Sequence, residues 1–174
     1  MERNRIKVLI ADDEEKVCTL IYKLVDWKDF DMEVVATVYN GIDALERIRD
    51  LAPDVVITDI RMPGYDGIEL IAKAKEINDH LEFIIISGYR HFEYAQSAIK
   101  YGVSDYLLKP IKKEELTGTL EKIRLHCLNR ADQLSTQEQL RLRLQDDTSK
   151  QREQLFLDFL LNPSKAVTTL GELN

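Results

Sequence analysis

Cysteine is scarce: Cys18 and Cys127 are the only two in 174 residues, with no CxxC spacing and no Cys/His cluster. A disulfide or zinc framework is thereby excluded in favour of two ordinary reduced thiols. Four prolines and seven glycines are too few for a collagenous or low-complexity chain. Long apolar runs are also missing. Behind Arg3, Arg5 and Lys7, the stretch Val8–Ala11 is cut short by Asp12 and Asp13, which is no secretory signal. Phe83–Ile86 and Phe159–Leu161 are islands beside the roughly 18–20 apolar residues of a membrane helix. A cytoplasmic protein with no membrane partner is expected. Positive charge is not in excess either: the formal charge is −7, with 18 basic against 24 acidic residues through Leu125 and 6 against 7 beyond it. Neither part carries the basic footprint of a nucleic-acid binder. What remains is 44% hydrophobic and 32% charged, enough for one sizeable core. The length fits one domain of about 150 residues or fewer with a short appendage.

Apolar runs of strand length alternate with stretches of helical period. Lys7–Ala11 reads as a strand, and in Lys16–Val25 the residues Val17, Leu20, Ile21 and Leu24 mark one helix face. Strand-like Glu33–Val38 precedes Gly41–Leu51, which aligns Ala44, Leu45 and Ile48. Asp54–Thr58, Glu82–Ser87 and Ser104–Leu108 are further strands; Gly67–Ile77, His91–Tyr101 and the chain from Lys112 onward are further helices. Five such units predict a parallel sheet with helices on both faces, because parallel neighbours need crossovers and the crossovers cover the sheet. In such folds the functional crevice lies beyond the carboxyl ends of the strands.

Those ends carry Asp12-Asp13, Asp59, Ser87-Gly88 and Lys109-Pro110. Singly, each is an ordinary helix cap, turn residue or solvated charge. Together they are different, since three carboxylates in one crevice repel unless a cation is present, and oxygen donors without His or Cys fit a hard ion such as Mg²⁺. With Lys109 and Ser87 able to hold phosphate, the set describes a phosphoryl site. Asp59, central and followed by Ile60-Arg61-Met62-Pro63-Gly64, is the candidate nucleophile for an acyl phosphate.

Val8-Leu-Ile-Ala-Asp-Asp-Glu14, Thr58-Asp-Ile-Arg-Met-Pro-Gly64 with Asp66-Gly67, Ile86-Ser-Gly-Tyr89 and Asp105-Tyr-Leu-Leu-Lys-Pro110 stand in one order and spacing. Over residues 5 to 125 the sequence resembles the receiver domains of two-component response regulators. The resemblance implies a flavodoxin-like α/β fold with strand order 2-1-3-4-5 and a C-terminal helical extension. It further implies Asp59 as phosphoacceptor, with Asp12, Asp13, Asp59 and the backbone carbonyl of Arg61 as Mg²⁺ ligands. Ser87, Gly88 and Lys109 would bind phosphate, Ser87 and Tyr106 would be the switch pair, and Lys109-Pro110 is a candidate cis peptide. Tyr89 and Arg61 flank the site and, as in the family, would tune access of hydrolytic water. The implied partner is a sensor histidine kinase, and the implied role is a signalling switch, not a turnover enzyme.

Asp26-Trp27, Glu33-Val34-Val35, Asn40-Gly41 and Ser87-Gly-Tyr-Arg-His-Phe-Glu-Tyr-Ala95 are similar, more narrowly, to AraC-type response regulators of the YesN group. Their DNA-binding domain is not reached here, so residues 126–174 are expected to be a helical linker or dimerisation segment, and DNA contact is expected only through that absent domain. Thr119–Asn162 has no Gly or Pro, which permits a long helix. In the 4,3 series Leu116, Leu120, Ile123, Cys127, Arg130, Leu134, Gln137, Arg141, Leu144, six of nine positions are apolar. A homodimer through a coiled coil or through the receiver face is expected, with a poorly specified seam. Leu155–Leu161 is costly to leave in water, and Pro163 should end the helix. Three rivals stand beside this reading. A dehalogenase-type phosphatase wants an Asp where Arg61 stands. A dinucleotide binder wants a glycine-rich loop where Asp12-Asp13-Glu14-Glu15 stands. The third is a receiver-fold interaction module acting independently of phosphorylation.

Overall fold

The computed structural model describes residues 5–88 and 92–161, with side chains over 5–88 and 93–144. Tyr89, Pro163 and the side chains of Leu155–Leu161 lie outside the described residues. The chain divides into two compact units, Met1–Cys127 and Leu128–Asn174.

The first unit alternates as its hydrophobic pattern requires: β1 (Ile6–Ala11), α1 (Glu15–Leu24), β2 (Met32–Val38), α2 (Gly41–Leu51), β3 (Val55–Asp59), α3 (Gly67–Ile77), β4 (Glu82–Ser87), α4 (Phe92–Lys100), β5 (Asp105–Leu108) and the start of α5 (Lys113–Leu161). All pairings are parallel and the strand order is β2-β1-β3-β4-β5. This is the flavodoxin-like order. Every residue of β3 and β4 is buried, and the side-chain period of two divides them between two cores. Val56, Phe83 and Ile85 pack with α2, α3 and α4. Val55, Ile57, Ile84 and Ile86 pack with Cys18 and Ile21 of α1 and Leu116, Leu120 and Ile123 of α5.

Local chemistry sets the helix ends. Asn40 accepts from the Asp43 N–H to open α2, and Asp66 and Glu69 form a reciprocal capping box at α3. The α2 C-cap is unusual, because Ala52 takes a left-handed conformation at φ 45° that normally selects glycine. Ala52 is exposed, so Ala52→Gly is expected to stabilise the fold by about 0.5–1 kcal/mol, the relieved backbone strain less the entropy of glycine. Urea unfolding checks this by the shift in midpoint.

One element goes beyond the alternating pattern. Between α1 and β2 the chain makes a 3-10 turn over Trp27–Phe30, closed by Asp31 in the left-handed region. The Trp27 indole N–H donates to the Tyr22 carbonyl at 2.9 Å, which lets a buried aromatic satisfy its one polar atom.

At the far end of the sheet from the Asp59 edge, the buried Glu82 carboxylate accepts from Ser104 Oγ (2.6 Å) and lies 2.8 Å from His126 Nδ1. Thr119 Oγ1 also meets Asp105 Oδ2 at 2.5 Å. The Thr119 and His126 contacts fix the first part of α5 against β5 and β4. Because Leu116, Leu120 and Ile123 are consumed by the core, the 4,3 series continues past Cys127 only as Arg130, Leu134, Gln137, Arg141 and Leu144. In the second unit Leu134, Leu140, Leu142 and Leu144 are all exposed. Among the described residues no helix is long and apolar enough to cross a membrane.

Candidate functional site

Parallel register assembles the site. Ala11 stands opposite Thr58, so the next residues, Asp12 and Asp59, arrive side by side at the carboxyl edge of the sheet. Asp59 is level with Ile86, and Ser87 with Leu108. Ser87, Gly88 and Lys109 therefore end on the same edge, and the Lys109 N–H donates to the Ser87 carbonyl at 2.9 Å. The Lys109-Pro110 peptide is cis.

Asp12, Asp13 and Asp59 each place a carboxylate oxygen within 4.8 Å of the others. Asp12 and Asp59 are buried and Asp13 is exposed. Asp59 Oδ1 accepts from the Ile60 N–H (2.8 Å), and Asp12 Oδ1 from the Glu14 N–H (2.9 Å). Lys109 Nζ serves three acids, lying 3.0 Å from Asp12 Oδ2, 3.5 Å from Asp59 Oδ2 and 3.5 Å from Glu14 Oε1. Among the described residues, the buried Asp12 Oδ2 is held by this ion pair with Lys109 and by no other polar partner.

The electrostatics follow. Burial, with the Asp12 charge beside it, holds the Asp59 carboxyl above the ordinary carboxylate range although Lys109 pulls the other way. Burial works against the Lys109 ammonium, yet contact with Asp12 and the charges of Asp59, Asp12 and Glu14 outweigh it and raise its pKa. Among the described residues, one ammonium pairs with three carboxylates, and Asp13 adds a fourth to the cluster. An oxygen-only donor set, with more carboxylates than its one lysine partner neutralises, fits a hard divalent cation, with Asp12, Asp13 and Asp59 able to hold it.

The remaining expected residues are placed as follows. Ser87 is buried, and a Cβ on Gly88 would meet nothing within 4 Å, so the edge above it is open. Tyr106 is half-buried and packs on the core that contains α4. Arg61 is exposed two residues beyond Asp59. Glu14 is the member of the cluster to which the sequence alone gives no role; its place in an acidic run is the one signal, and its reach to Lys109 depends on the fold. Cys18 is a second such neighbour. Its Sγ lies 3.4 Å from the Asp12 carbonyl, and burial first, then the Asp12 charge, push its thiol up to about 11. A raised folded-state pKa contributes stability below the unfolded value near 9.0 and loses it as pH rises through about 11. At about pH 8, iodoacetamide is therefore expected to label Cys127 well ahead of Cys18, which should react only on denaturation. Peptide mass mapping checks the order.

Residues 8–121 match the model of the response regulator receiver domain. The chain is similar to the transcriptional regulatory protein YesN of Bacillus subtilis, 40% identical over 117 residues, which are 67% of this chain and 32% of that protein. It is also similar to a response regulatory protein of Staphylococcus epidermidis, 38% identical over 124 residues, 71% of this chain and 49% of the relative. The chain thus spans about a third to a half of the length of these relatives. Among solved structures, the REC domain of AraT from Geobacillus stearothermophilus superposes with a TM-score of 0.69 at 40% identity, covering 72% of this chain and 97% of that one. The isolated REC domain of RcsB from Salmonella enterica, solved in the presence of the phosphomimetic BeF3⁻, gives 0.61 at 25% identity, covering 66% and 85%. With the family model matched over residues 8–121, which is most of its length, the chain belongs to the response regulator receiver domain family, the signal-receiving module of two-component systems.

Proposed function

We propose that Asp59 accepts a phosphoryl group from a phosphohistidine of a sensor histidine kinase and that the resulting acyl phosphate switches a transcription factor. The observation that carries this reading is the convergence on one edge of a buried carboxylate raised above its ordinary range, two further aspartates and Lys109. An Asp59 oxygen attacks phosphorus as the phosphorus–nitrogen bond breaks, and the departing imidazole keeps its electron pair and takes a proton. Asp12, Asp13, Asp59 and the Arg61 carbonyl would hold Mg²⁺, which would supply charge neutralisation for the transferring group. Lys109 and Ser87 bind phosphoryl oxygens, and Gly88 leaves room for their approach.

The relay is a population shift. Ser87 moves toward the new dianion, and Tyr106, already half-buried against the α4 core, turns further inward. Residues 1–125 act as the phosphoacceptor domain, and 126–174 as a helical linker or dimerisation segment toward an AraC-type DNA-binding domain. Homodimerisation uses the receiver face or the exposed leucines of α5, Leu134 and Leu144. The domain works in the cytoplasm as a switch and not as a turnover enzyme.

The test is intact mass spectrometry with a small phosphodonor, with and without Mg²⁺, alongside light scattering. One phosphoryl increment that needs Mg²⁺, accompanied by a rise in oligomer mass, supports the reading. No increment moves the assignment to an interaction module independent of phosphorylation.

A further inference from the structure

Lys109 has more partners than a phosphate-binding lysine needs. Two of its three carboxylates, Asp12 and Asp59, belong to the metal-capable group; the third, Glu14, does not. The distinction matters once a cation is bound, because Asp12 and Asp59 then direct their charge to the cation. Glu14 is the carboxylate left facing the ammonium.

Glu14 is built to stay there. Its backbone N–H is held by Asp12 Oδ1 at 2.9 Å, and its carbonyl accepts from the N–H groups of Val17 (2.9 Å) and Cys18 (3.2 Å) as α1 begins. Its backbone is fixed, whereas its side chain is 65% exposed. An ion pair so exposed is weak and screened by salt, and it opens readily. We infer that Glu14 is a positioning residue that parks the Lys109 ammonium beside the site and must release it before Lys109 can reach an incoming phosphoryl group. This rests on the reading of Asp59 as phosphoacceptor. It makes Glu14 a brake on phosphoryl uptake, and the brake is electrostatic.

The test compares the rate of phosphoryl adduct formation in wild type, Glu14→Gln and Glu15→Gln at saturating Mg²⁺ with one small anionic phosphodonor. Glu15 is the exposed next residue, so its variant removes the same charge from the same helix start. Glu14→Gln is expected to form adduct about two- to fivefold faster than wild type, the scale of an exposed ion pair. Glu15→Gln should stay close to wild type. In about 1 M salt the advantage of Glu14→Gln should shrink toward unity, because screening frees Lys109 in wild type as well. A purely structural role would not produce that salt dependence, and thermal melting verifies that the variants fold alike. A Glu14→Gln rate equal to or slower than wild type overturns the inference, as does equal acceleration by Glu15→Gln. Absence of any adduct in wild type is a separate outcome, which removes the phosphoacceptor reading itself and the brake with it.

Discussion

Asp59→Asn is expected to take up no phosphoryl group under conditions that load the wild type, and to melt at a higher temperature than wild type when no divalent cation is present. The first effect follows because the amide oxygen is a poor nucleophile and the other acids of the cluster are committed elsewhere: Asp12 to the Glu14 N–H and Lys109, and Asp13 to the exposed rim. The second follows from the sign of the shift at Asp59. Its folded-state pKa is raised, chiefly by burial, so its contribution to stability is present below the ordinary carboxylate value and is lost as pH rises through the folded-state value. At neutral pH the ionised side chain is thus a net cost. Asparagine removes that charge and keeps an oxygen for the Ile60 N–H. Added Mg²⁺ should narrow or reverse the order, since wild type gains binding free energy from the cation and the variant less. Intact mass and differential scanning calorimetry with and without Mg²⁺ read both effects. A melting order in which wild type leads without the cation would contradict the electrostatic account.

Gly67→Ala is expected to destabilise the receiver by about 3 kcal/mol, the upper part of the usual range for overpacking, and to lower the melting temperature by on the order of 10 °C. Gly67 opens α3, and its N–H donates to the Ile60 carbonyl at 2.7 Å. A Cβ there would collide with the Asp59 carbonyl oxygen and stand 2.9 Å from Ile60 Cα and 3.1 Å from the Asp59 carbonyl carbon. All three are backbone atoms, with no flexible side chain to yield. The displaced backbone is that of the proposed phosphoacceptor, so adduct formation should fall together with stability. Gly118→Ala is the natural contrast. Gly118 is exposed within α5, a Cβ there meets nothing within 4 Å, and the change is expected to stabilise by about 0.5–1 kcal/mol. Urea denaturation of the two variants separates steric cost from helix propensity. Equal, small effects would show that the α3 start gives way more easily than its contacts imply.

Much of this architecture is legible in the residues. Runs such as Val55-Val56-Ile57 and Phe83-Ile84-Ile85-Ile86 can satisfy burial on both sides only as central strands, and they are buried throughout. The acidic edge was equally visible, because parallel strands deliver their carboxyl ends to one side and Asp12, Asp13 and Asp59 end two of them. The rest depends on tertiary context. No glycine or proline announces the turn at Trp27–Phe30, whose closing residue, Asp31, takes the left-handed conformation without one. The 4,3 series in α5 is ambiguous in sequence, since the same leucines suit a seam or a core. The fold resolves it by burying Leu116, Leu120 and Ile123 between α5 and the sheet. The reach of Glu14 to Lys109 joins residues at the ends of β1 and β5, on strands that are not neighbours in the sheet, and no spacing rule discloses it.

The central claim is that Asp59 carries an acyl phosphate, and chemical trapping tests it most directly. Wild-type chain loaded from a small phosphodonor in Mg²⁺ is treated with borohydride, whose hydride displaces phosphate from the acyl carbon and reduces that carbon to an alcohol, leaving homoserine where the phosphorylated aspartate stood. Peptide sequencing by mass spectrometry across β3 then reads the position. Homoserine at position 59 and at no other aspartate is the predicted result. Homoserine at position 12 or 13, or a phosphoryl group that survives reduction on a hydroxyl such as Ser87, would contradict the assignment.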